Sequence, residues 1–125
     1  RPATLFAAGF IGTPPMNLLP LKEPEAARWA QRSLPGGVPG EAIDKLVLGV
    51  RPERIRLADS GLPAEVLSLE YLGADSLIAC KVGAHEWIVR QSGNIKASAG
   101  DRIHLDWPAA ENHWFDAVSG IRRGA

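Results

Sequence analysis

The chain has 125 residues, 46% of them hydrophobic and 22% charged, which suits one folded domain with a single core and excludes an extended disordered chain. Its 14 basic residues offset 14 acidic ones, so no net field draws it to nucleic acid or anionic lipid. One cysteine, Cys80, excludes an internal disulfide framework and fits a reducing compartment.

In chain order, Pro2 to Ile11 places Leu5, Phe6, Gly9 and Phe10 at helical spacing, and Pro2 and Gly12 suit a start and a stop. A short amphipathic N-terminal helix is expected there. Gly12, Pro14, Pro15 and Pro20 interrupt the uncharged stretch from Pro2 to Leu21, so it cannot cross a bilayer as one helix. It also lacks the basic lead and small-residue cleavage site of a signal peptide. The piece MNLLPL, from Met16, is too short for a free helix and reads as a brief strand ended by Pro20. Pro24 then opens a helix through Ala26, Ala27, Trp29, Ala30 and Leu34, and Pro35-Gly36-Gly37 closes it.

From Leu46 the period changes to two. LVLGV is an apolar run, and RIRL sets Ile55 and Leu57 against Arg54 and Arg56. AEVLSLEYL puts Leu67, Leu69 and Tyr71 on one face, and SLIACKV groups Ile78, Cys80 and Val82. A hairpin turn at Gly83-Ala84-His85 leads into EWIVR. DRIHLDW sets Ile103, Leu105 and Trp107 opposite Arg102, His104 and Asp106, and a last short strand covers His113 to Phe115. Several short strands joined by Gly-rich turns predict a mainly β fold, an antiparallel sheet that closes into a small barrel or packs as a sandwich.

Chemistry-bearing patterns are sparse. His85, His104, His113 and Cys80 are the soft ligand candidates, and they form no CxxC, HxxxH or HxxE arrangement, so a zinc site is not supported. Cys80 sits mid-strand on an apolar face, where a thiol is an inert packing group. No G-x-S-x-G, G-x-x-x-x-G-K-[ST] or G-x-G-x-x-G is present, so no nucleophile elbow or phosphate-cradling loop is expected. Small barrels bind oligonucleotides through exposed aromatics, yet Tyr71, Trp87 and Trp107 fall mainly in the inward phase, and the expectation is no nucleic-acid partner. In GVRPERI, Pro52 lacks an N–H and fixes φ, so Arg51 and Glu53 flank a rigid corner that could pair internally or grip a neighbouring segment.

Four strings in register carry a resemblance: FIGTPPMNLL (Phe10 to Leu19), LGVRPERIRL (Leu48 to Leu57), LEYLGADSL (Leu69 to Leu77) and HWFDAVSGIR (His113 to Arg122). Together they resemble the C-terminal regulatory part of the ATP-binding subunits of ABC sugar importers, a family that includes the maltose and glycerol-3-phosphate importer ATPases. The Pro-Pro-Met-Asn and Leu-Gly-Ala-Asp forms are closest to the glycerol-3-phosphate branch. The match spans nearly the whole chain and is most variable over Lys22 to Lys45. Trp114 stands where the family more often has Leu.

The resemblance implies a small OB-like antiparallel β-barrel, the transport-associated module that follows the ATPase core. It implies that residues 1–15 are a helix and linker from that core, that 16–125 form the regulatory domain, and that Arg1 lies near the junction. ATP and magnesium would bind the core, with no cofactor, metal or catalytic residue in this fragment. Implied partners are a second copy, through the regulatory domain, and the membrane-spanning importer subunits, through the core. A cytosolic regulatory protein is a further candidate, and the location would be the cytoplasmic face of the inner membrane. Phe6, Phe10, Met16 and Asn17 are then candidates for the seam to the core, and Arg51, Glu53, Trp114 and Phe115 for contacts with partners. The alternative is a small-molecule-sensing OB-like barrel that modulates transport.

Overall fold

The computed structural model describes residues 16–40 and 42–122. The expected helix over Pro2 to Ile11, with Phe6 and Phe10, lies outside them. Strands occur where short apolar runs and alternation predict them. In chain order they are β1 (Asn17–Pro20), β2 (Leu46–Val50), β3 (Arg56–Ala58), β4 (Leu62–Leu72), β5 (Asp75–Val82), β6 (His85–Ser92), β7 (Arg102–Asp106) and β8 (His113–Asp116). One helix, α1 (Pro24–Ser33), starts at its proline as expected, because a first-turn residue needs no N–H partner.

The fold is mainly β and antiparallel, but the strands divide into two sheets and do not close into a barrel. The smaller sheet has the order β1-β2-β8 and the larger β3-β7-β4-β5-β6. The two are tied by side chains, where a closed barrel would continue a backbone ladder. β2 is the middle strand of its sheet and is buried throughout, which explains why LVLGV is a continuous apolar run and not an alternating one. Its Leu46, Leu48 and Val50 join the main core with Val66, Ile78, Val89 and Leu105 of the larger sheet. Three indoles stack in series through that core: the ring centroids of Trp29 and Trp107 are 5.9 Å apart, and those of Trp87 and Trp107 are 5.8 Å apart. Such tilted aromatic pairs add about 0.5–1.5 kcal/mol beyond their buried area.

The opposite face of the small sheet carries a second apolar group, Met16, Val47 and Phe115. Gly49 lies among them by necessity. A Cβ there would stand 2.5 Å from Met16 Sδ and 2.9 Å from Phe115 Cε2.

Two expectations are corrected. Leu67, Leu69 and Tyr71 do not share a buried face, because a β-bulge between Val66 and Ser68 makes Leu67 the extra residue. Leu62, Ala64 and Val66 point inward before the bulge, and Leu69 faces Ile78 after it. Leu67 is 41% exposed and Tyr71 55% exposed, with the Tyr71 hydroxyl donating to Ile95 O at 3.0 Å. The bulge lies in the pairing with β5; on its other side β4 continues toward the segment before β7, where Val66 N donates to Asp101 O and Gly100 N donates to Val66 O. Second, His85 is not a turn residue. It opens β6 opposite Val82, and its Nε2 lies 2.7 Å from Glu23 Oε2 just ahead of α1.

Candidate functional site

Asn17 is placed by β1, where it stands opposite Val50 with its side chain on the inner face, directed at β6. Its Nδ2 donates to Ile88 O and its Oδ1 accepts from Ile88 N, both at 2.8 Å. A primary amide presents the same donor and acceptor as a peptide group, so Asn17 pairs the free edge of β6 as a neighbouring strand would. Two further bonds run alongside: Trp87 Nε1 donates to Leu18 O at 3.0 Å, and Leu57 N donates to Gln91 Oε1 at 3.1 Å. The Asn17–Ile88 and Trp87–Leu18 bonds join the two sheets, the Leu57–Gln91 bond links β3 and β6, the two edges of the larger one, and together they blunt an edge that would otherwise offer unpaired backbone groups to another chain.

The other candidates sort by burial. Met16, 5% exposed, packs with Val47 and Phe115. Phe115 is fully buried and Trp114 is 9% exposed, facing the main core. Trp114 therefore fills the interior and leaves little indole surface exposed. Phe6 and Phe10 lie outside the described residues.

Arg51 and Glu53 remain on the surface. Pro52 is buried and begins a 3-10 turn, Pro52–Arg54, closed by Arg54 N donating to Arg51 O at 3.0 Å. With no N–H at Pro52 the small sheet ends at Val50, and the chain crosses to the larger sheet. Among the described residues neither Arg51 nor Glu53 forms an ion pair, with the other or with a third group. The pairs here belong to their neighbours: Arg54 Nε to Glu111 Oε1 at 3.7 Å, and Arg56 to Asp106 at 3.0 Å. Arg90 Nε stands 3.0 Å from Asp75 Oδ2 across a shallow polar cleft. Such exposed pairs contribute about 0–1 kcal/mol each, so the corner is a charged surface more than a source of stability. Arg51, half-buried, and Glu53, exposed, thus flank one surface corner, while Met16, Asn17, Trp114 and Phe115 are interior.

The remaining reactive groups have ordinary explanations. Burial chiefly, with the Glu86 carboxylate second, pushes the Cys80 thiol up to about 11, and its Sγ approaches Trp87 O at 3.5 Å. A thiol so held is not a nucleophile at neutral pH. Among the described residues no group of three or more His, Cys, Asp or Glu side chains could hold a metal ion. Alternation could not have found Leu67 as an exposed apolar residue, because the bulge that exposes it arises in the pairing of β4 with β5.

The TOBE domain family model matches residues 48–115. Over 98% of its length the chain is 38% identical to an sn-glycerol-3-phosphate import ATP-binding protein of Salmonella paratyphi A. Proteins of the same description from Yersinia enterocolitica and Yersinia pestis are 39% and 40% identical over the same share. The chain spans only 37%, 37% and 36% of the length of these relatives, respectively.

Proposed function

The chain belongs to the TOBE domain family, and on that premise we propose that it is the regulatory domain of the ATP-binding subunit of an ABC importer for glycerol 3-phosphate. The observation that carries this reading is the similarity over 98% of the chain to import ATP-binding proteins of which it spans little more than a third. In this proposal residues 16–125 are the domain, residues 1–15 lead in from the ATPase core, and ATP and magnesium bind outside the chain. The domain holds two subunits together so that ATP-driven closure elsewhere proceeds as a rotation about a fixed end. The corner at half-buried Arg51 and exposed Glu53 is the surface we assign to that contact, since neither charge forms an ion pair among the described residues. The subunit would sit at the cytoplasmic face of the inner membrane beneath its membrane-spanning partners. No helix among the described residues is long and apolar enough to cross a membrane, which suits a peripheral place.

The test is to express the complete ATP-binding subunit with its membrane partners and follow sn-glycerol 3-phosphate uptake and subunit mass. Uptake should depend on the subunit, and removing this domain should abolish the nucleotide-independent dimer. Uptake of an unrelated solute only, or a dimer indifferent to the deletion, would overturn the proposal.

A further inference from the structure

The small sheet has two faces, and the main core covers only one. In register, Leu18 stands beside Gly49 and His113, and Pro20 beside Val47 and Phe115, with Met16 two residues ahead of Leu18. Side chains alternate along a strand, so these residues share the face turned away from Leu19, Leu48 and Trp114, which join the core. That outer face is apolar. Met16, Val47 and Phe115 are buried on it, with Leu18 and Ala117 packed against them.

A buried apolar sheet face needs a second layer against it. Among the described residues this cluster has no apolar member from another layer, since all of them belong to β1, β2 and β8 or adjoin those strands. Val118 and Ile121, which follow β8, are exposed and do not cover it. Outside the described residues lie 1–15, Glu41 and Arg123-Gly124-Ala125. Only the first of these has large apolar side chains, Leu5, Phe6, Phe10 and Ile11, and it joins the domain at Met16, on the face in question.

The lengths agree. β2, central on that face, spans about 16 Å at about 3.3 Å per residue. A helix over Pro2 to Ile11 would span about 15 Å at about 1.5 Å per residue. The residues from Ile11 to Met16 reach up to about 17 Å, enough to turn the segment back over the sheet. We propose that the stretch from Leu5 to Ile11 packs on the outer face of the small sheet, with Phe6 and Phe10 closing over Val47 and Phe115. The packing does not rest on the importer reading. Where that reading holds, the residues ahead of the domain are fastened along a sheet, so movement of the ATPase core passes to the domain and is not lost in a loose tether. Asn17, on the opposite face, fastens the same sheet to the large one.

The test is a methyl NOE experiment on the 125-residue chain, whose single methionine is Met16 and whose phenylalanines are Phe6, Phe10 and Phe115. The Met16 and Val47 methyls should show cross-peaks to the ring protons of Phe6 or Phe10 as well as to those of Phe115. Phe6→Leu and Phe10→Leu should each remove the cross-peaks of the ring they replace. In the double variant Phe6→Ser, Phe10→Ser the uncovered face should bind anilinonaphthalene sulfonate and raise its fluorescence. The indole signals of Trp87 and Trp107 should stay in place there and show that the core is intact. Cross-peaks to the Phe115 ring alone would overturn the proposal, as would a double variant with an intact core that binds no more dye than wild type. Cross-peaks to Phe6 or Phe10 that arise only between labelled and unlabelled chains would give the face to a second copy and overturn it too.

Discussion

Asn17 and Ile88 are joined through two 2.8 Å hydrogen bonds, a side-chain amide of the small sheet pairing both main-chain polar groups of a residue 71 positions away in the large one. The pair explains how two open sheets behave as one body without a shared ladder. Replacing Asn17 with Ala leaves the Ile88 N–H and C=O without their protein partner. A loss of about 2 kcal/mol or somewhat more in urea unfolding is expected, the low end of about 1–3 kcal/mol for each of the two part-buried groups left unpaired. Asn17→Asp should cost at least as much, because a carboxylate cannot donate to Ile88 O. Wild-type stability in the Asp variant at pH 7 would show that the amide's donor is not needed.

Gly49 and Met16 form a second testable pair. An added methyl at Gly49 meets Met16 Sδ and the Phe115 ring at 2.5 and 2.9 Å, so Gly49→Ala should destabilise by about 1–3 kcal/mol through overpacking. Met16→Ala alone should cost about 2–5 kcal/mol through the cavity it leaves. Because the sulfur occupies the space the methyl needs, the double variant should be more stable than the sum of the two losses implies, with a coupling of at least 0.5 kcal/mol by the usual range for contacting residues. Strict additivity in denaturant melts would contradict the contact.

Cys80 makes stability fall in mild alkali. Its folded-state value is raised from 9.0 to about 11, so above pH 9 the unfolded chain gives up a proton that the folded chain keeps. Stability from the buried thiol is complete below pH 9 and is lost as pH rises toward 11, by up to about 3 kcal/mol at about 1.4 kcal/mol per unit. The wild-type chain should therefore lose more stability than Cys80→Ala between pH 8.5 and 10.5, measured as a difference so that lysine and tyrosine titration cancels. Parallel pH profiles for the two proteins would refute it. At pH 7.5 a thiol reagent should modify Cys80 only as fast as the domain opens.

The corner can be separated from the fold. Arg51 and Glu53 make no ion pair within the described residues, so Arg51→Glu and Glu53→Arg should each leave the unfolding free energy within about ±0.5 kcal/mol of wild type. In the complete ATP-binding subunit the same changes should weaken self-association, read by sedimentation equilibrium. If association is untouched while folding is intact, the corner is a solvated surface and the contact lies elsewhere.

Sequence by itself determined a good deal of this protein. Short apolar runs marked β1 and β2 and period-two alternation most of the later strands, Pro24 and Pro35-Gly36-Gly37 bounded the helix, and Pro52 marked the corner, because each of these signals acts within a few residues. The quoted strings from Leu48 to Phe115 fall where the family model matches. What alternation could not decide is which edge a strand meets. It assigns faces along one strand and is silent on the partner. The division into two sheets, the bulge that turns Leu67 outward, and the burial of Trp114 and Phe115 all follow from contacts between distant segments. Asn17 shows the difference most clearly. In sequence it is a polar residue in a short apolar strand, and local pattern names no partner for it. In the folded chain its amide is held by Ile88, because a buried amide must find partners and the free edge of β6 offers a matched pair.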